Sequence, residues 1–208
     1  MKETKDLIPP VLVALLFSVV FAHLSLGQKA KSSRVKPVAK IPIHEITSVI
    51  RSAFGQSMEV VTDTQTFYLL GDFNGDSHPD IAVLVNPEKS KAELKQHHVK
   101  YIDVDPSSPT NGREQDPESA RFQYCFGVAV IHGTAKGWRA AHPTGKYLFY
   151  ECFIPFSLVP KATKIRRYYK GNKEAPPRLS GDAIYLDLER EGKAIVYWTG
   201  KTYRGYGQ

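Results

Sequence analysis

The apolar positions of the first folded segment recur with the spacing of an amphipathic helix. Pro42 suits a first helical turn, and Gly55 suits a helix stop. Between them, apolar side chains recur about every 3.6 residues, at Ile43, Ile46, Val49, Ile50, Ala53 and Phe54. We therefore predict one amphipathic helix at the start of the folded domain.

Short apolar and aromatic runs, separated by turn residues, predict β-strands along the rest of the chain. The first two are Thr66 to Leu70 and Ile81 to Val85, and the second is continuously apolar, as in a buried strand. Further strands are predicted at His98 to Val104, Phe122 to His132, Trp138 to Ala141, Tyr147 to Phe153, Ala183 to Leu188, Ala194 to Trp198 and Thr202 to Tyr206. Short turns separate the last three, which indicates consecutive hairpins or a meander.

Two polar segments interrupt this series of strands. The segment from Lys89 to His98 fits either a short helix or an exposed connection. The segment from Asp103 to Ala120 is rich in Pro, Ser, Asn, Gly and charge, which predicts a long mobile loop. The predicted fold class is α+β, with one N-terminal amphipathic helix and a mainly antiparallel β-sheet or meander. The chain has no internal period, so it does not encode a complete propeller or solenoid.

Residues 1 to 27 have the pattern of a secretory signal peptide. Lys2 and Lys5 precede an apolar run from Val11 to Ala22, and Ser25-Leu26-Gly27 supplies small residues before a cut at Gln28. The apolar run is shorter than the roughly 20 residues of a membrane span, although an uncleaved N-terminal anchor is the alternative. We therefore expect an exported protein, periplasmic or extracellular, with no transmembrane span after cleavage.

The composition after residue 27 changes once more before the domain begins. Gln28 to Lys40 is rich in Lys, Ser and Pro with almost no large apolar side chains, which predicts a flexible basic leader. Residues 41–208 then form a single α+β domain, a size that suits one hydrophobic core. Residues 1 to 27 carry equal numbers of basic and acidic side chains, so the formal net charge of +7 is unchanged by their removal.

The chain has two cysteines, Cys125 and Cys152. In an oxidising compartment they are a candidate disulfide that closes a loop of about 28 residues and contributes roughly 3 to 4 kcal/mol. Two buried apolar thiols are the alternative, because a sequence does not give the Cα separation. Their spacing is not the Cys-x-x-Cys of a redox or zinc site.

The strongest chemical signal lies between the first two predicted strands. The stretch Gly71-Asp72-Phe73-Asn74-Gly75-Asp76-Ser77-His78-Pro79-Asp80, here called the acidic loop, places oxygen-bearing side chains at alternating positions. Ca²⁺ prefers about six to eight oxygen ligands, and carboxylates crowded into one loop repel one another without a cation. The candidate ligands are Asp72, Asn74, Asp76 and Asp80 through their side chains and His78 through its backbone carbonyl. A metal-free hairpin turn rich in Asp, Asn and Gly is the alternative.

This string, followed by Ile81 to Val85, resembles the calcium-binding loop of FG-GAP or VCBS-type repeats, the integrin alpha N-terminal-like class. The family pattern is Asp-x-Asp/Asn-x-Asp-Gly-x-x-Asp between two strands of a propeller blade. The resemblance covers roughly residues 67–85. It implies a propeller-blade-like hairpin with calcium ligands at Asp72, Asn74, Asp76, His78 (by its backbone) and Asp80.

The loop departs from that pattern at Ser77, where the family has Gly. A non-glycine residue forced to positive φ costs on the order of 1 kcal/mol, so we expect a looser turn or weaker calcium binding. An EF-hand is excluded because the twelfth position counted from Asp72 is Val83, where a carboxylate ligand is required.

A basic segment near the C-terminal third is a second candidate for binding. Its cations, interleaved with Tyr168 and Tyr169, could contact an anionic polymer. They are Lys161, Lys164, Arg166, Arg167, Lys170, Lys173 and Arg178. A solvated basic loop is the alternative, and the export signal argues against nucleic acid as the partner.

Few other side chains suggest chemistry. His97, His98, His132 and His142 show no helical His-x-x-x-His pair for zinc. Asp182, Asp187 and Glu189 fit either acid–base carboxylates or the exposed face of the meander. Nucleophile-elbow, phosphate-loop and dinucleotide motifs are absent from the sequence.

Together these features favour an exported, non-enzymatic calcium-binding domain. The calcium is expected to be structural, and the domain to serve as a binding or interaction module for a macromolecule, either an anionic envelope polymer or a protein. The alternatives are an exported hydrolase or cell-wall enzyme and a polyanion-binding adhesion or inhibitor protein.

Overall fold

The computed structural model describes residues 40–119, 126–150, 153–167, 174–188 and 192–207. The predicted amphipathic helix is confirmed as α1, Ile43–Phe54, which buries Ile46, Ile50, Ala53 and Phe54. It ends at Gly55, whose φ of 118° suits glycine and whose N–H donates to the Arg51 carbonyl. The helix therefore begins and ends where its apolar spacing and flanking residues predict.

Most of the predicted strands lie close to strands of the structure. A second helix, α2, spans Lys91–Gln96, so the segment from Lys89 to His98 contains a short helix. The strands are β1 Glu59–Val60, β2 Tyr68–Gly71, β3 Asp80–Asn86, β4 Lys100–Ile102, β5 Glu114–Gln115, β6 Gly127–His132, β7 Gly145–Tyr150, β8 Phe153–Val159, β9 Ala183–Leu188, β10 Gly192–Trp198 and β11 Tyr203–Gly207. Strands β1, β5 and β8 were not predicted, and the single strand predicted from Tyr147 to Phe153 covers the end of β7 and the start of β8. The α+β fold class is confirmed.

The strands of the described residues form two sheets. The larger has the order β1-β3-β6-β7-β4-β5, with β2 also paired to β3. Its pairs are antiparallel except β4 with β7, which is parallel. The smaller sheet has the order β11-β10-β9-β8 and is antiparallel throughout. The predicted C-terminal meander is therefore confirmed.

The two sheets pack face to face, and the helices cover the far side of the larger sheet. Ala82 and Leu84 of β3 share one core with Ile184 and Leu186 of β9. The alternate residues of β3, such as Val83, share a second core with α1. Because both faces of β3 are buried, its sequence is a continuous apolar run instead of an alternating one.

Two predicted features of the chain differ from the structure. The segment predicted as a long loop contains β5 and a 3₁₀ turn, Pro117–Ser119, and the carboxylate of Asp103 accepts hydrogen bonds within it. The predicted strand from Trp138 to Ala141 is wrong. Trp138 is buried against the helix-covered core within a series of turns, and the return strand β7 starts only at Gly145.

The chain divides into two units, Met1–Lys40 and Ile41–Gln208, and every element named above belongs to the second. The predicted signal peptide and nearly all of the predicted leader lie outside the described residues, as do Cys125 and Cys152. None of the helices in the described ranges has the length and apolar character needed to cross a membrane.

Candidate metal centre: the acidic loop

The acidic loop is the turn of the β2–β3 hairpin. Gly71 pairs with Asp80 at the last position of the ladder, so the intervening residues project beyond the end of the sheet. Phe73 is fully buried in the core between the two sheets and anchors the loop there. The side chains of Asn74, Asp76 and His78 remain partly or fully exposed. One buried aromatic residue therefore fixes a turn whose outer side chains include Asn74, Asp76 and His78.

Hydrogen bonds within the loop bring three of the predicted ligands together. Asp72 Oδ2 accepts the N–H of Ser77 at 3.0 Å, and Asn74 Oδ1 accepts the N–H of Asp76 at 3.0 Å. The side-chain amide of Asn74 donates to Asp76 Oδ2 at 2.9 Å. Because each of these oxygens has a second lone pair, the bonds orient the side chains without using all their capacity as acceptors.

One oxygen of this set has no hydrogen-bond donor. Asp72 Oδ1 is shielded from solvent and accepts no hydrogen bond from the described residues. The carboxylate as a whole is 19% exposed, and its nearest cationic atom is Lys161 Nζ, 3.8 Å from Oδ2. A buried carboxylate oxygen without a partner is costly, so the local chemistry of this loop fits an added cation.

Asp80 has a structural role in addition to the ligand role that its spacing predicts. It is fully buried, and its carboxylate accepts three backbone N–H groups, from Phe73 at 2.8 Å, Asn74 at 3.3 Å and Gly133 at 2.7 Å. Burial raises the pKa of Asp80 to about 6, although these hydrogen bonds act to lower it. A carboxylate has about four lone-pair positions, so roughly one remains for a cation.

The imidazole of His78 contacts the same loop. Its Nδ1 lies 3.2 Å from Asp76 Oδ1, which also accepts the backbone N–H of His78 at 2.8 Å. Partial burial raises the pKa of Asp76, but the hydrogen bonds from His78 and Asn74 outweigh it and hold the pKa below its ordinary value. The charged form of Asp76 is therefore favoured.

The loop has the backbone conformation that its pattern predicts. Ser77 has a φ of 69°, in the left-handed region, where the resembled family has glycine. The predicted cost of a non-glycine residue at that position therefore applies to this fold.

Asp182 is a residue of this site that sequence reasoning did not find. Its Oδ2 accepts the N–H of Asp72 at 3.0 Å, and its own N–H donates to the Asp72 carbonyl at 2.7 Å. Its Oδ1 accepts the N–H of Lys161 at 2.9 Å. Asp182 lies just before β9, so it links the acidic loop to the smaller sheet. Asp182 is half-buried and bonded to the loop, so it does not lie on an exposed face of the meander.

The contact between the loop and this segment is close enough to require glycine. A Cβ added to Gly181 would lie 2.4 Å from the carbonyl oxygen of Asp72, and one added to Gly75 would lie 2.5 Å from the carbonyl oxygen of Ser180. In the sequence, the residue types of Ser180-Gly181-Asp182 indicate a turn. They do not indicate that this turn contacts a distant loop.

A buried aromatic cluster lies next to the turn that contacts Asp80. His132 precedes Gly133, and its Nε2 shares a 2.6 Å hydrogen bond with the Tyr203 hydroxyl. Tyr147 and Trp198 pack around the imidazole. Burial lowers the pKa of His132 to about 4. His132 is therefore a neutral link between β6 and β11, whereas His98 and His142 are exposed surface residues.

The described part of the basic segment borders a cleft of about 490 Å³ on the outer face of the smaller sheet. Three of its cations, Lys164, Arg166 and Arg167, line the cleft together with apolar side chains. The apolar side chains are Val159, Ile165, Tyr185 and Ile195, and Thr163 also lines the cleft. Lys170, Lys173, Tyr168 and Tyr169 lie outside the described residues, as does Glu189.

The described residues contain no group of three or more His, Cys, Asp or Glu side chains placed to hold a metal ion. Two of the five predicted ligands do not belong to these four kinds of side chain, because Asn74 would bind through an amide and His78 through its backbone carbonyl. Comparison of this chain with protein-family models, with curated proteins and with solved structures finds no match. The argument for function therefore depends on the loop's own chemistry and its contacts with the two sheets.

Proposed function

We propose that this protein is an exported, non-enzymatic binding module whose acidic loop holds one structural calcium ion. The β2–β3 hairpin would be a propeller-blade-like calcium hairpin of FG-GAP or VCBS type. The ligands would be Asp72, Asn74, Asp76, the His78 carbonyl and Asp80. The observation that carries the proposal is the buried Oδ1 of Asp72, which accepts no hydrogen bond in the described residues.

The charge of the loop supports the same proposal. Asp72, Asp76 and Asp80 belong to one turn, and Asp76 acts to raise the pKa of the buried Asp80 carboxylate. Lys161 lies near Asp72, but its side chain is 55% exposed and its ammonium is screened by solvent. A bound calcium ion would supply the positive charge that balances these carboxylates.

The contacts of the loop explain why a cation there would matter to the whole domain. Asp80 binds the turn after β6, and Asp182 binds the loop to the start of β9. The backbone of Asp72 makes both hydrogen bonds to Asp182, which directly precedes β9 of the smaller sheet. A cation that holds Asp72 in place would therefore also hold the start of β9 in place. The residues of the loop thereby hold the two sheets together at one end of their shared core.

A binding role is supported by the chemistry of two clefts, the one at Arg166 and a second between α1 and the turns that follow β6. Neither the cleft at Arg166 nor the one beside Trp138 is lined by a carboxylate. Hydrolases with acid–base chemistry need convergent titratable groups in a pocket, so these linings favour binding over hydrolysis. The cations around Arg166 suit an anionic envelope polymer as the partner.

Thermal and urea unfolding of the full chain with and without calcium tests the metal site. With calcium at about 100 times its Kd, we expect a gain of about 2.7 kcal/mol in the free energy of unfolding. Asp72→Ala and Asp76→Ala should each abolish the gain. Asp105→Ala is a matched control, because Asp105 accepts the N–H two residues ahead, as Asp76 does, but lies in another loop.

Two outcomes would contradict the calcium site. One is an unfolding free energy of the wild type that does not change at saturating calcium. The other is an equal gain for Asp76→Ala and the wild type, since a general salt effect does not depend on this carboxylate.

The proposed binding to an anionic polymer is tested separately. Binding to an immobilised anionic polysaccharide should weaken steeply as salt rises, because exposed charges are screened over about 10 Å at 0.1 M. Arg166→Glu with Arg167→Glu should abolish retention, and Lys136→Glu with Lys201→Glu should reduce it only slightly. Equal losses for the two double variants would show that net charge alone governs retention.

A further inference from the structure

A second cavity lies on the opposite side of the larger sheet, between α1 and the turns that follow β6. Its volume is about 220 Å³. Its floor is apolar and includes Trp138, Ile131 and Ala53, all buried. The polar part of the lining comes from α1, from the turns and from β7, and includes Ser48, Ser52, Arg139 and Lys146.

Lys146 occupies an unusual position beside this cavity. It pairs with Ile131 across the β6–β7 ladder, on the helix-covered face where Leu148 is fully buried. Its Nζ donates to the carbonyl of His97, just after α2 ends. Within the described residues, no carboxylate forms an ion pair with it. Burial lowers the pKa of this ammonium group. A cation with no carboxylate partner among the described residues thus borders a cavity that has an apolar floor and partly polar walls.

Arg139, the other cation of the lining, already has a partner. Its guanidinium lies 4.1 Å from the centre of the Trp138 ring and forms an ion pair with Glu45 of α1. The hydrogen bond from Arg139 lowers the pKa of Glu45. The cavity therefore has a surplus of about one positive charge, and it is the charge of Lys146.

We propose that this cavity binds a small free monocarboxylate with an apolar or aromatic body. The carboxylate would lie beside Lys146, with the hydroxyl groups of Ser48 and Ser52 available as donors from α1. The body would lie on Trp138 and Ile131. This assignment does not depend on calcium in the acidic loop, so failure of the calcium proposal would leave it standing.

The size and charge of the cavity select this class of ligand. Its volume is below the roughly 300 Å³ at the lower end of ordinary ligand pockets, which excludes large ligands. A dianionic phosphate would exceed the single surplus charge, and the planar guanidinium that best matches phosphate is already bound to Glu45. An uncharged apolar ligand would desolvate the Lys146 ammonium further and leave it the His97 carbonyl as a partner, with no opposite charge.

Trp138 provides a direct readout of binding. The chain has two tryptophans, so Trp198→Phe leaves Trp138 as the single indole reporter. In that background, phenylacetate titrated at constant ionic strength should change the Trp138 fluorescence saturably, with a Kd of about 1 mM. Phenylacetamide, which has the same shape without the charge, should bind at least about tenfold more weakly.

Substitutions distinguish binding in the cavity from nonspecific effects of charge. Lys146→Met should weaken phenylacetate binding about tenfold, whereas Lys136→Met, in the turn before Trp138, should leave it unchanged. Ser52 is exposed on α1, so Ser52→Leu should fill the cavity from outside and abolish binding even if Lys146→Met does not fold. A short peptide with a free carboxyl terminus should bind more weakly than phenylacetate because of its size.

Three results would show that the cavity does not bind a small monocarboxylate. They are no saturable signal with phenylacetate, equal binding of phenylacetamide, and unchanged binding in Ser52→Leu. Tighter binding of the peptide would overturn the assignment to a free small ligand and indicate a peptide carboxyl terminus instead.

Discussion

Two aspartate-rich loops of this domain satisfy their carboxylates in different ways. The first is the acidic loop, and the second is the serine loop, residues 103–113, between β4 and β5. In the serine loop, Asp103 Oδ2 accepts the hydroxyls of Ser108 and Thr110, and Asp103 Oδ1 accepts the N–H of Asp105. In the acidic loop, Asp72 Oδ1 accepts nothing from the described residues.

The difference follows from the residues between the aspartates. The serine loop places hydroxyl donors where they reach its carboxylates, so its negative charge is stabilised from within the chain. The one hydroxyl of the acidic loop belongs to Ser77, which binds Asp72 through its backbone N–H. Each carboxylate oxygen of the serine loop has a donor from within that loop, whereas Asp72 Oδ1 of the acidic loop has none among the described residues and suits a cation.

Both loops also connect the two sheets, by different chemical groups. Asn111 of the serine loop exchanges two hydrogen bonds with Gly205 of β11, at 2.8 and 2.9 Å. The acidic loop uses the carboxylate of Asp182 instead. The link of the serine loop is neutral, whereas that of the acidic loop adds another negative charge. This contrast gives the predictions below.

The largest difference between the loops should appear when one aspartate is removed from each. Asp80→Ala leaves three buried N–H groups without an acceptor, so we expect a loss of about 4 kcal/mol in the free energy of unfolding. Asp105→Ala, on a partly exposed turn, should lose about 1 kcal/mol or less. Urea unfolding measures both. Similar losses would show that the acidic loop is not anchored as described.

A pH dependence should appear beside the acidic loop. The pKa of His132 is about 4 in the fold against an ordinary 6.5, so the neutral form is favoured and its contribution is present above pH 6.5. This contribution of His132 to the free energy of unfolding is lost as pH falls toward 4. The stability advantage of the wild type over His132→Gln should therefore shrink by about 3 kcal/mol between pH 7 and pH 4.

Asp80 changes stability in the opposite direction over this range. Its pKa is raised in the fold, so its contribution is present below about pH 4 and is lost as pH rises through about 6. The wild type and the His132→Gln variant both retain Asp80, so the effect of Asp80 cancels in the difference between their free energies of unfolding. A difference that stays constant from pH 7 to pH 4 would contradict a buried neutral imidazole.

A smaller effect should come from the left-handed positions of the loops. The acidic loop has Ser77 there, and the serine loop has Gly112, with φ of 69° and 85°. Ser77→Gly should relieve strain and raise the free energy of unfolding by up to about 1 kcal/mol, whereas Gly112→Ser should lower it by about 1 kcal/mol or more. Thermal unfolding of both variants checks this, and destabilisation by Ser77→Gly would show that the serine is not strained.

The smallest predicted effect concerns the cation nearest the acidic loop. Lys161→Gln removes a positive charge 3.8 Å from Asp72, so calcium affinity should rise about twofold at low salt. The gain should vanish at high ionic strength because the pair is exposed. Calcium titrations at two salt concentrations measure it, and a gain that persists at high salt would indicate a structural change instead.

Local patterns predicted much of this fold. The 3.6-residue repeat gave α1, the apolar run of β3 indicated a buried strand, and the C-terminal turns gave the meander. The sequence could not indicate that Asp182 binds Asp72, since the two are separated by 110 residues. It also could not show that the hydroxyls of the serine loop would organise a segment whose composition indicates mobility.

The candidate site was predicted in part. The loop, its position between two strands and the positive φ at Ser77 follow from residue types and spacing. The burial of Asp80 and its three N–H donors do not, because they depend on how β6 and the loop pack around it. Lys146 lies in an apolar setting that only the pairing of β6 with β7 reveals.

Calorimetric titration of the full chain with calcium, beside Asp72→Ala and Asp105→Ala, is the most direct test of the contrast between the two loops. We predict one saturable site in the wild type, loss of that site in Asp72→Ala, and unchanged binding in Asp105→Ala. No binding to the wild type, or equal binding by all three proteins, would contradict a calcium site in the acidic loop.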